Sequence, residues 1–201
     1  MRRIVFTLFL LVTLVAGAQD MRALFVNAPD SVFPLLTRSS REDCVDFLDA
    51  GMRARVTNKL DGKSQLLSLT PCYLKLRSSE CSTVEARLLP CGCDTIIAVV
   101  RSVCAEACDS RISFYRRDWS PAEVAFEMPR VAEFFTPGDS LSHYLNLCDI
   151  YLVKLTLSST DESLVAEYTM PLYMNDSDAW AVHRYLHPLV YRWRGGVFVK
   201  E

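Results

Sequence analysis

Thr95-Ile-Ile-Ala-Val-Val-Arg-Ser-Val-Cys104-Ala-Glu-Ala-Cys108-Asp-Ser-Arg-Ile-Ser-Phe-Tyr115 is two strand-like runs joined by a connection that opens and closes in cysteine. The first run is rich in β-branched residues and almost continuously apolar, the pattern of a buried central strand. The second alternates, with Ile112 and Phe114 on one face and Arg111, Ser113 and Tyr115 on the other. The stretch therefore predicts a β-hairpin at the middle of an antiparallel sheet. Ala105-Glu106-Ala107 lacks the Gly, Asn or Asp that a tight hairpin turn favours. A disulfide between Cys104 and Cys108 would hold such a turn, since directly opposed strand residues have Cα atoms about 4.5–5.5 Å apart.

The same periodicity extends in both directions. Arg55 to Lys59 and Ser64 to Leu69 flank Asp61-Gly62, a strong hairpin turn. Tyr73 to Arg77 and Thr83 to Leu88 alternate, and Cys91-Gly92-Cys93-Asp94 reads as a turn, so residues 53–117 form a meander of about six strands. Before it, Pro29 to Pro34 fits a short helix, and Ser40 caps a second that carries Cys44, Phe47 and Leu48 on one face and stops at Gly51. After it, residues 120–147 form a mixed connection with a short helix over Val131–Phe135. Ile150–Leu157 and Leu164–Tyr173 read as a hairpin, Asp176 or Ser177 starts a helix that runs to about His187, and residues 189–193 and 197–199 close the chain as a hairpin around Gly195-Gly196. Strands in runs, without regular alternation with helices, mean an α+β fold: an antiparallel sheet built from a long meander and later hairpins, covered by a few short helices.

The N-terminus points to export. Arg2-Arg3, the apolar run Ile4–Val15 and the small residues Ala16-Gly17-Ala18 have the form of a signal peptide, with cleavage expected after Ala18. Residues 19–201 are then one domain, and no later stretch is apolar enough to span a bilayer as a helix. All eight cysteines lie after residue 18, and in an exported chain an even number favours disulfides. The whole chain carries a formal net charge of −2, and both signal arginines leave with the leader. A mildly acidic chain without basic clusters argues against nucleic acid as a partner.

Specific chemistry is harder to find. Cys91 and Cys93 with Cys104 and Cys108 offer a four-sulfur zinc alternative, but structural zinc sites place two to four residues between paired ligands, and only one pair does so. Cys72 reaches Cys91 or Cys93 if the strands between them form a hairpin; Cys44 reads as core. His183 and His187 are four apart on one expected helix, but Arg184-Tyr185-Leu186 follows where a zinc protease would place its glutamate. The bland reading, a surface histidine and one at a helix C-terminus, is preferred. Phosphate-loop, dinucleotide and nucleophile-elbow patterns are absent from the sequence. No catalytic, cofactor or metal residue is therefore assigned. Tyr191 and Trp193 share one face of the closing strand; packing on the last helix is the simpler reading, and a binding surface for a partner or glycan the sharper one.

The chain resembles a family of uncharacterised exported proteins of Bacteroidetes-type bacteria, known only as a domain of unknown function. The carrying residues include Gln19-Asp20, Pro29-Asp30-Ser31, Pro34-Leu35-Leu36-Thr37, Asp46-Phe47-Leu48-Asp49, Val56-Thr57-Asn58, Asp61-Gly62-Lys63-Ser64, Val103-Cys104, Asp118-Trp119, and Pro188-Leu189-Val190-Tyr191 with Trp193. The resemblance implies a periplasmic or secreted protein and brings no activity with it. The leading expectation is a non-enzymatic envelope module that binds an envelope protein or glycan. An envelope-polymer hydrolase using unassigned carboxylates and an inhibitor or assembly partner are the alternatives.

Overall fold

In a computed structural model the residues described are 20–138 and 141–201. The expected signal peptide, residues 1–18, and the cleavage site before Gln19 lie outside them.

The meander forms one six-stranded antiparallel sheet in strict sequence order: β1 (Arg55–Thr57), β2 (Lys63–Leu69), β3 (Tyr73–Arg77), β4 (Ser82–Cys91), β5 (Asp94–Cys104) and β6 (Cys108–Tyr115). The later hairpins build a separate four-stranded antiparallel sheet, β7 (Val153–Leu157), β8 (Ser163–Tyr168), β9 (Leu189–Arg194) and β10 (Val197–Lys200), ordered β10-β9-β8-β7. The fold is thus α+β with two open antiparallel sheets and short helices. The β5–β6 hairpin stands at one edge of the large sheet, not at its middle. Its run of apolar residues has a different cause. β5 is covered on both faces, and Ile97, Ala98, Val99 and Val100 are all buried.

One face of the large sheet carries Leu66, Leu74, Leu76, Val84, Ala86, Ile97 and Val99. It packs against α1 (Met21–Asn27), α2 (Arg38–Asp49) and the loop between them, through Met21, Phe25, Phe33, Leu36 and Cys44. The opposite face contributes Tyr73, Leu89, Ile96, Ala98, Val100 and Phe114 to a second core shared with Leu155, Leu164, Tyr191, Trp193 and Phe198 of the small sheet. That second cover reaches β3 to β6 and leaves the same face of β1 and β2 open.

β7 is an edge strand, and unpaired edge amides are a liability that proteins cover. Here side chains of the large sheet cover them: Leu155 N–H donates to Ser110 Oγ at 3.0 Å and Leu157 N–H to Glu85 Oε2 at 2.8 Å. Arg87 adds a 2.8 Å bond from Nη1 to the Ser158 carbonyl. These bonds fix how the sheets sit on each other, which apolar contact alone leaves loose.

The helices depart from the sequence expectation at their ends. α1 begins earlier than expected, with Asp20 as N-cap accepting from Ala23 N–H at 3.1 Å. It stops at Asn27 because Ala28 precedes Pro29 and is driven out of the helical region; the Pro29–Pro34 stretch is a chain of turns. α2 begins at Arg38, since Thr37 Oγ1 is the cap and accepts from Ser40 N–H at 3.1 Å. Ser40 is therefore its third residue. A 3₁₀ turn spans Val131–Phe134, α3 spans Leu141–Leu147, and α4 spans Asp176–His183 under an Asn175 cap. α4 ends four residues before His187, so His183 and His187 do not share a helix.

The loop between α1 and α2 is organised by Arg41, whose side chain is buried at 1% exposure. Its guanidinium donates to the carbonyls of Val26, Ala28 and Leu36, the last two at 2.6 and 2.9 Å, and meets Asp30 at the rim. Trp119 is pinned on the other side of α1. It takes a φ of 65°, outside the range bulky side chains favour, while its indole N–H donates to the Leu24 carbonyl at 3.1 Å.

Candidate functional site

The segment that leaves β6 builds the clearest cleft. From Ala122 to Met128 it runs extended, with Ala122, Val124, Phe126 and Met128 packed against the second core. Its apolar residues recur at every second position, as in a strand, yet among the described residues the backbone groups of Glu123 to Met128 pair with nothing in the protein. Facing it is β10, the outer strand of the small sheet. Gly195 and Gly196, at φ 59° and 94°, form the two-residue turn that sets the β9–β10 register. Glu201 N–H donates to the Val190 carbonyl, which makes Val197, Val199 and Glu201 the hydrogen-bonded positions. The backbone groups of Phe198 and Lys200 therefore point away from β9.

Between these two unpaired backbones lies a cleft of about 630 Å³, lined by Ala125 to Arg130, Glu133, Tyr191, Phe198 and Lys200. Its volume is in the range of small-molecule and peptide sites, about 300–1,000 Å³. The floor is aromatic. Phe126 meets Tyr191 edge-on at 5.4 Å between ring centroids and Phe198 at 6.0 Å. Burial, with Glu133 and Tyr151 near by, pushes the Tyr191 phenol up to about 12, so it stays protonated. Its hydroxyl has no hydrogen-bond partner among the described residues. At the rim Glu133 accepts from Arg130 N–H at 2.9 Å and from Lys200 Nζ at 3.0 Å. Those two contacts hold its carboxyl below the usual range. The site can stack, donate and accept through Tyr191, and offer backbone groups from both walls.

Of the two aromatic residues singled out in the closing strand, only Tyr191 lines this cleft. Both face inward: Tyr191 is 7% and Trp193 8% exposed. Trp193 stacks on Phe114 and meets Phe198 edge-on, and its indole N–H donates to the Pro90 carbonyl at 2.5 Å. These partners stand on β4, β6 and β10, not on the last helix. Phe126, which completes the floor with Phe198 of the aromatic closing segment, escapes sequence reasoning because its separation along the chain hides the contact.

Cys104 and Cys108 face each other across the β5–β6 turn with Sγ atoms 2.08 Å and Cα atoms 4.1 Å apart. Thr169 Oγ1 accepts from Cys108 N–H at 3.0 Å and donates to its carbonyl at 2.6 Å, tying the turn to the small sheet. Cys91 and Cys93 stand at the opposite end of β5, roughly 35 Å away along an extended strand of that length. The four sulfurs therefore cannot share a metal. Cys72, Cys81, Cys91 and Cys93 are unbonded, as are the buried Cys44 and Cys148. Desolvation pushes the Cys44 thiol up to about 11 and raises that of Cys148.

The register also gathers charges that the sequence disperses. Arg55 pairs with Gln65 and Gln65 with Arg77, so the three side chains form one row across β1, β2 and β3. With Arg53, Lys63 and Glu80 they line a depression of about 360 Å³ on the uncovered part of the sheet. The expectation of a chain without basic clusters fails here, because these cations come from three strands and are neighbours only across the sheet.

Residues 13–198 match the family described as "Protein of unknown function (DUF3256)". No curated protein matches the chain. Among solved structures, a domain of an uncharacterised protein from Porphyromonas gingivalis W83 is similar at a TM-score of 0.77 and 26% identity, covering 90% of this chain and 96% of that one.

Proposed function

The chain belongs to the DUF3256 family, whose description assigns no activity, and from the cleft itself we propose that it is a non-enzymatic binding module that takes an extended peptide of a partner protein between β10 and Ala122–Arg130. The carrying observation is the pair of unpaired backbones on the two walls. A strand added to the outer edge of β10 would satisfy the outward groups of Phe198 and Lys200, and alternate side chains would enter the floor of Phe126, Tyr191 and Phe198. A glycan would use the aromatic floor but not the backbone groups. Action in the cell envelope belongs to the proposal and is supported by the leader-like residues Arg2 to Ala18. The hydrolase alternative needs a carboxylic acid held protonated near neutral pH. The one rim carboxylate with a resolved shift, Glu133, is pushed the other way.

The test compares Lys200→Pro with Lys200→Ala. Both remove the ammonium that bridges to Glu133. Only proline removes the outward N–H, at a position where the β9–β10 ladder does not use it. Against an immobilised library of random octapeptides, the wild type and Lys200→Ala are expected to select peptides of alternating apolar character. Lys200→Pro is expected to lose at least about tenfold in affinity, the worth of a hydrogen bond of about 1.4 kcal/mol. Equal binding by the two variants, or no selection by the wild type, rejects strand addition.

A further inference from the structure

The open part of the large sheet carries Arg53, Arg55, Lys63 and Arg77 around one depression, with Glu80 its lone carboxylate. This concentration stands against a chain whose formal net charge is −2. Among the described residues Arg53, Arg55 and Arg77 have no carboxylate within salt-bridge distance, so their charges face the solvent uncompensated. Lys63 donates to Thr57 Oγ1 at 2.7 Å and pairs with no carboxylate among the described residues. The Arg55 and Arg77 rows are two strand spacings apart, about 10 Å, so both can engage separate anions at once. The small sheet does not reach β1 or β2, so this face meets the solvent directly.

A second observation comes from the two ends of β1. Met52 precedes Arg53 and is 53% exposed; Leu60, in the β1–β2 turn, is 76% exposed, more than any other large apolar side chain among the described residues. Exposed apolar tips on either side of a cation cluster are the pairing that interfacial membrane binding uses: cations engage lipid phosphates while apolar side chains enter the headgroup boundary. A soluble polyanion would use the cations and gain nothing from Met52 or Leu60.

The geometry points to a peripheral membrane-binding face: the β1–β3 surface docks on an anionic bilayer, with guanidinium groups on headgroup phosphates and Met52 and Leu60 in the interface. The face is separate from the β10 cleft and does not depend on that reading. Arginine suits the role because its planar fork takes two phosphate oxygens at once.

The experiment is vesicle co-sedimentation of the purified chain without residues 1–18, because the apolar run Ile4–Val15 would enter vesicles of either type by itself. All variants carry the same N-terminus, so differences between them report on this face. The probes are phosphatidylcholine vesicles with and without phosphatidylglycerol, at low and raised salt, with dextran sulfate as the soluble polyanion. Binding is expected only with phosphatidylglycerol and is expected to weaken with salt. Arg55→Gln and Arg77→Gln, both exposed and clear of the core, are each expected to lower the partition coefficient about fivefold, equivalent to about 1 kcal/mol per cation. Leu60→Ser is expected to weaken vesicle binding and leave dextran sulfate binding unchanged. Equal binding to both vesicle types overturns the proposal, as does an unaffected Arg55→Gln/Arg77→Gln variant. Binding of dextran sulfate without binding of vesicles overturns it in favour of a soluble polyanion. Circular dichroism melting confirms that each variant is folded.

Discussion

Replacing Arg41 by methionine tests the view that one buried cation shapes the entire α1–α2 cover. Methionine keeps the length and fills the space of the aliphatic stem, so cavity formation is a small part of the effect. The hydrogen-bond loss is the main part. Arg41 supplies donors to the Val26, Ala28 and Leu36 carbonyls, of which Ala28 and Leu36 are buried at 3% and 1% exposure. Ala28 is the C-cap of α1 and Val26 lies in its last turn, where carbonyls have no partner inside the helix. Two buried carbonyls left unpaired, at about 2 kcal/mol each, give a loss of about 4 kcal/mol. For a chain of this size that is a fall in Tm of roughly 12 °C. Urea unfolding followed by tryptophan fluorescence is the assay, since Trp119 is anchored to α1. Arg38→Met is the control: Arg38 is exposed, pairs with Glu42 at 3.1 Å on the helix surface, and is expected to cost under about 0.5 kcal/mol. A loss below about 1 kcal/mol for Arg41→Met, or equal losses for the two variants, refutes the argument.

Other outcomes follow from the same structure. Glu85→Ala removes the acceptor of Leu157 N–H at the junction of the sheets and is expected to lower stability by about 3 kcal/mol, read as a shift in urea midpoint. Cys104→Ser with Cys108→Ser opens a very short loop and is expected to cost only about 2 kcal/mol, measured the same way. Iodoacetamide at pH 8 is expected to modify Cys72, Cys81 and Cys93, which are exposed, and to reach Cys44 and Cys148 only in urea, as read by peptide mass spectrometry. The Ser163 hydroxyl, with Ser158 and Arg192, holds Asp161 below the usual carboxylate range, and Glu133 is lowered by Arg130 N–H and Lys200. Depressed folded-state values contribute stability above the unfolded carboxylate pKa of about 4, and that stability is lost as pH falls through the folded values. The urea midpoint is therefore expected to decline below about pH 4. The Cys44 thiol, raised to about 11, acts with the opposite sign: its contribution is intact below the ordinary thiol pKa of about 8.5 and is lost as pH rises toward 11.

The strands of the meander were legible because each is a local pattern. Period-two alternation in Tyr73–Arg77 and Thr83–Leu88, and the turn chemistry of Asp61-Gly62 and Gly195-Gly196, are properties of a few adjacent residues. Helix starts were less legible, because Thr37 and Ser40 are both competent caps and only the surrounding fold decides which hydroxyl meets an amide. The apolar run in β5 fixed its burial but not its place in the strand order, since cover from two layers and a central position leave the same imprint on sequence.

What the sequence alone determined is therefore the α+β class, the order and approximate limits of the strands, and the inward position of the alternating Leu, Val and Ile in strands such as Tyr73–Arg77 and Val153–Leu157. Tertiary structure decided everything that depends on residues far apart in the chain. It split the strands into two sheets, and Glu85 and Ser110 cap two amides of β7 from across the core. It closed Arg41 onto three carbonyls of another segment, and set Phe126 against Tyr191 and Phe198 to floor a cleft. It also aligned Arg55, Gln65 and Arg77 in one row, turning scattered charges into a single cationic face. Periodicity is carried by neighbours along the chain, whereas register and packing are set by the whole folded set of contacts at once.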